Sequence, residues 1–77
     1  MMTKMTWEDE ARNFASMLNQ LLAEKGMTQA ELAKRAVVST AYINRLCRGR
    51  AVPGWRTLRA IAAVLDVGIG NFDYDGQ

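Results

Sequence analysis

The sequence predicts an all-α fold of five helices in one domain. Three observations predict it. Apolar residues recur at steps of three and four along several stretches, the period of a helix with one buried face. Threonine or serine stands before three of those stretches, where a helix N-terminus needs a capping side chain. No segment alternates apolar and polar residues between turn signals, as a half-buried strand would.

The first helix is capped at Thr6. Thr6 and Asp9 have capping-box spacing, and Glu8 adds negative charge to the first turn. Trp7, Ala11, Phe14, Leu18 and Leu21 form its apolar stripe, and Lys25-Gly26 closes it. Thr28-Gln29-Ala30-Glu31 is a second capping box. It opens a helix of about two turns with Leu32, Ala33 and Ala36 on its apolar side. Val37-Val38-Ser39 interrupts the pattern, and Ser39 caps a third helix from Thr40 to Arg48 that stops at Gly49. Arg50 to Gly54 is a loop. Trp55 to Leu65 is a fourth helix with Leu58, Ile61, Ala62 and Leu65 on one side. Gly68 and Gly70 weaken the helical signal beyond Leu65, and Ile69 and Phe72 are expected in a short fifth turn that plugs the core. The single domain spans 1–77, with 1–5 and 73–77 expected to be flexible.

A chain of 77 residues buries only roughly 60% of its unfolded surface, so the core must be economical. At 49% hydrophobic residues it has the material for one. No apolar run approaches membrane-span length and the N-terminus carries no apolar signal segment, so a cytoplasmic location is expected. Cys47 is the single cysteine, which excludes an internal disulfide and agrees with a reducing compartment. With no histidine, neither a structural zinc site nor an activated Ser16, Ser39 or Cys47 nucleophile is supported. We therefore expect no metal, no cofactor and no enzymatic activity.

The net charge of +2 hides an asymmetry. Between Leu32 and Leu65 lie Lys34, Arg35, Arg45, Arg48, Arg50, Arg56 and Arg59, with no acid. The other three basic residues stand against all eight acids. Small helical proteins often carry uneven charge, but segregation this complete also fits a footprint for a polyanion. On a wheel of roughly 100° per residue, Thr40, Asn44, Arg48, Ala41 and Arg45 share an arc of about 140°. Tyr42, Leu46, Ile43 and Cys47 fill the remainder. Two short helices joined by a three-residue turn form a helix-turn-helix, whose second helix is narrow enough for the DNA major groove.

These residues carry a family resemblance. Met27-Thr28-Gln29-Ala30-Glu31-Leu32-Ala33 looks like the Leu-Thr-Gln-x-x-Leu-Ala opening of the Cro and phage-repressor class, the xenobiotic-response-element-like family. Ile43 to Gly49 resembles its Ile-x-x-Leu-x-x-Gly recognition core, and Pro53 stands before the fourth helix as in that class. The resemblance covers about Leu18 to Phe72. It implies a compact lambda-repressor-like domain of prokaryotic or phage origin, with the helix-turn-helix at helices two and three.

The resemblance also implies roles. Gln29 would bind a phosphate at the N-terminus of helix two. Thr40, Ala41, Asn44 and Arg45 would face base edges: Arg45 a guanine, Asn44 an adenine, Ala41 a thymine methyl. Ser39, Tyr42, Arg48, Arg50 and Arg56 would contact the DNA backbone, which positions the domain without reading sequence. Lys34, Arg35 and Arg59 would add only to the general field. The competing reading makes Arg45, Asn44, Arg48 and Arg50 ordinary solvated residues, and lets Tyr42 cap the core edge.

Two departures from the class stand out. Its turn often holds glycine, where this chain has Val37 or Val38; β-branched residues disfavour positive φ, so a shifted turn is expected. The class also pairs an arginine in helix one with a glutamate near the end of helix three. Leu22 and Cys47 replace both, which leaves no orphan charge. Cys47 is expected to be a small buried hydrophobe rather than a redox switch. Trp7 and Phe14 are expected to pack on Phe72, the alternative being a dimer contact.

The functional expectation is a sequence-specific, nucleoid-associated regulator of transcription acting on double-stranded DNA. As a repressor it would occlude a promoter. A homodimer on a palindromic operator would set its recognition helices about 34 Å apart. The rival from another class is an antitoxin or adaptor that uses the same fold to hold a protein partner such as a toxin. A protein-docking face would expose apolar anchors rather than polar groups on the third helix.

Overall fold

The structure, a computed structural model, describes residues 6–68 and residue 70. The described residues form four α-helices: α1 (Trp7–Lys25), α2 (Gln29–Ala36), α3 (Thr40–Cys47) and α4 (Trp55–Leu65). Five were expected. Apart from Gly70, the residues of the expected fifth turn, Ile69 to Phe72, lie outside the described ones, as do 1–5 and 73–77. No described helix is long and apolar enough to cross a membrane.

Local chemistry sets the helix starts. Thr6 Oγ1 accepts the Asp9 N–H at 3.2 Å while the Thr6 N–H donates to Asp9 Oδ2 at 3.2 Å. Thr28 and Glu31 repeat the exchange at 3.0 and 2.9 Å. Each box satisfies two backbone donors that a helix start leaves open. Ser39 Oγ accepts the Tyr42 N–H at 3.0 Å and opens α3. α4 begins at Gly54 without a side-chain cap.

One motif closes all four of these helices. After each, a residue near the left-handed region directs two successive N–H groups back to carbonyls of the last turn. The residues are Gly26 (φ 62), Val37 (φ 60), Gly49 (φ 72) and Asp66 (φ 57). Val37 corrects the expectation of a shifted turn. The valine adopts the conformation that a glycine would take, and strain replaces rerouting. Nothing packs it in return, since Val37 is 86% exposed. α3 ends one residue earlier than the sequence pattern implied, with Arg48 as its C-cap.

α1 and α2 each pack against α3 and α4. The core between them holds Phe14, Leu18, Leu32, Ile43, Leu46, Leu58, Ile61 and Leu65. Leu22 and Cys47 are both buried in it. Pro53 is also fully buried. Proline has no N–H, so its burial strands no donor. Trp7 and Phe14 do not share one environment: Phe14 is a core residue, whereas Trp7 is 59% exposed. Their expected neighbour Phe72 lies outside the described residues.

Candidate nucleic-acid interface

α3 is two-faced, as its wheel predicted. Ile43, Leu46 and Cys47 are buried, and half-buried Tyr42 packs against the core edge. Thr40, Ala41 and Arg45 are exposed, and Asn44 lies half-buried between the faces. The structure therefore presents Thr40, Ala41 and Arg45 on the outward side of one short rod anchored by its back. Ser39, Arg48, Arg50 and Arg56 are exposed around that face. Among the described residues no carboxylate lies within ion-pair distance of Arg45, Arg48, Arg50 or Arg56. Three of these arginines, Arg45, Arg48 and Arg50, stand at the C-terminal end of α3, where the helix dipole favours cations.

A hydrogen bond joins the two helices of the motif. Asn44 Nδ2 donates to Gln29 Oε1 at 3.1 Å. The geometry leaves Gln29 its own N–H donors, the groups a phosphate oxygen needs. It also leaves Asn44 one N–H and its carbonyl oxygen, the pair that an adenine edge engages. Gln29 sits at the first position of α2, where backbone N–H groups are open.

Asn19 supplies a second brace. Its Nδ2 donates to the Cys47 carbonyl at 2.8 Å and to the Ala15 carbonyl at 2.9 Å. The first bond satisfies a carbonyl left open at the C-terminus of α3 and ties that end to α1. Sequence reading missed both braces because they join residues 28 and 15 positions apart. The only local hint was a carboxamide next to Leu18 on the apolar stripe. Burial pushes the Cys47 thiol up from its ordinary value, which keeps it protonated and a poor nucleophile.

Short helices at positions two and three, a left-handed turn and an arginine-rimmed outer face define a helix-turn-helix module. Residues 18–72 match the profile of the helix-turn-helix family, and the chain belongs to that family. The fold is similar to the clp gene regulator ClgR from Corynebacterium glutamicum, with a TM-score of 0.78 and 27% identity over 82% of this chain and 67% of that one. A second ClgR structure gives 0.76 and 27%, covering 82% of each chain. The SOS-response transcriptional repressor LexA from Eubacterium rectale is similar at a TM-score of 0.80 and 28% identity, over 99% of this chain and 78% of that one. A sequence comparison with curated proteins finds no match. Family and fold together support a DNA-binding transcription regulator.

Proposed function

We propose that this chain reads a specific sequence in double-stranded DNA and represses transcription from it as a homodimer. One observation carries the reading: α3 buries Ile43, Leu46 and Cys47 completely or nearly so while Thr40, Ala41 and Arg45 face outward, and Arg45 has no acid within ion-pair distance among the described residues. Groove insertion needs this combination, because a helix that reads base edges must be held from behind.

The roles follow from position. Arg45 takes a guanine through its planar fork, Ala41 meets a thymine methyl, and Thr40 offers a hydroxyl to either edge. Asn44 engages an adenine from a side chain already oriented by Gln29. Gln29, Ser39, Tyr42, Arg48, Arg50 and Arg56 hold phosphates and set the register. One rod of eight residues reads few base pairs. Two copies related by a two-fold axis would double the site, which favours a palindromic operator with half-sites one helical turn apart. Promoter occlusion in the nucleoid follows from such a complex.

The test is selection of bound duplexes from a random DNA pool, followed by binding measurements across salt concentrations. A palindromic consensus and a steep fall of affinity with salt are expected, with a log–log slope of about −0.9 per phosphate contact. Recovery of no consensus at any salt concentration would contradict sequence-specific reading.

A further inference from the structure

The basic window recognised in the sequence runs from Leu32 to Leu65 and leaves out Arg12. The fold brings Arg12 to it. Gly49 stands between Arg48 and Arg50 with φ +72, and a Cβ built on it would lie 3.6 Å from both Arg12 Cα and Arg12 Cγ and 3.8 Å from the Ala11 carbonyl oxygen. The loop that carries two arginines thus rests on α1 at Arg12. The Asn19 bond to the Cys47 carbonyl fixes the same approach from the other end. Arg12 and Asn19 are seven residues apart, about two turns, and so lie on one face of α1.

The Arg12 side chain is 68% exposed, and among the described residues it pairs only with Asp9, one turn earlier and itself 39% exposed. An ion pair this open to water holds its partners weakly, so a stronger anion can displace the carboxylate. A DNA phosphate is such an anion, and arginine matches its oxygens bidentately. We propose that Arg12 is a phosphate-binding residue, added by α1 to the strip formed by Arg48 and Arg50, with Asp9 as the internal anion that DNA displaces. This rests on the DNA-binding reading above and extends its footprint onto the first helix.

The test uses the full chain and a duplex selected by it. Arg12→Gln removes the charge but keeps the stem that lies against Gly49, and glutamine is as good a helix former. The expected result is a log–log salt slope shallower by about 0.9, with a several-fold loss of affinity at low salt. Arg12→Lys should restore the slope, and Asp9→Asn should tighten binding several-fold by removing the competing carboxylate. Thermal unfolding of Arg12→Gln should stay near that of the parent. Arg50→Gln serves as the reference. Parental slope and affinity for Arg12→Gln, where Arg50→Gln weakens binding, would overturn the assignment of Arg12 and leave the DNA reading intact. Absence of salt-dependent binding by the parent would overturn both.

Discussion

Val37 shows how a single residue can oppose its own fold. A β-branched side chain at φ 60 crowds the following carbonyl, and at 86% exposure it gains no packing to offset this. Val37→Gly should therefore raise stability by about 1 kcal/mol, read as a higher urea midpoint at unchanged slope. An unchanged midpoint would mean that the turn relaxes elsewhere. Asn44 and Gln29 act at the same scale but as a unit. Alanine at either position breaks one hydrogen bond, so the two losses in DNA affinity should add to more than the loss of the double variant. Strict additivity would remove the link between phosphate binding and base reading.

The capping boxes decide where the elements begin. Both were legible in the sequence, because Thr6/Asp9 and Thr28/Glu31 stand at the required spacing. Thr28→Ala should lower stability by about 1 kcal/mol, measured by denaturant unfolding. Hydrogen bonds from Thr28 backbone and side chain hold the Glu31 carboxyl below its ordinary range. The folded value is thus lower than the unfolded one. The stabilisation is complete above the ordinary carboxylate range and fades as pH falls through the folded value. The stability gap between the parent and Glu31→Gln should accordingly shrink on acidification. A gap that is constant with pH would contradict the charged form of the box. Helix ends were harder to read. Gly26 and Gly49 announced theirs, but Val37 and Asp66 adopt the same left-handed conformation without the residue type that signals it.

For the whole molecule, period alone placed most of the core. The residues named at steps of three and four on α1, α2 and α4 are all buried, Trp7 excepted, and Ala15 and Leu22 join them on α1. Trp7 lies at the first position of α1 and stays 59% exposed despite its place on the stripe. Contacts across elements were not legible in the sequence. Asn19 on the end of α3, Gln29 on Asn44 and Gly49 on Arg12 each join distant positions through short-range geometry. The candidate interface was legible to the extent that one helix carries it. Its bracing was not, because that depends on tertiary packing. Leu46 is fully buried behind the reading face, so Leu46→Ala should cost about 2–5 kcal/mol of stability. DNA binding should be lost in step with unfolding.

The most direct check on a groove-reading α3 is the base-by-base specificity profile of Arg45→Ala beside that of Arg50→Ala. Arg45→Ala should relax preference at one base position in each half-site, at a loss of about 1–3 kcal/mol there, while Arg50→Ala weakens all sequences alike. An Arg45→Ala profile that keeps the parental preference at every position, with the same loss on every sequence, would contradict a base-reading α3.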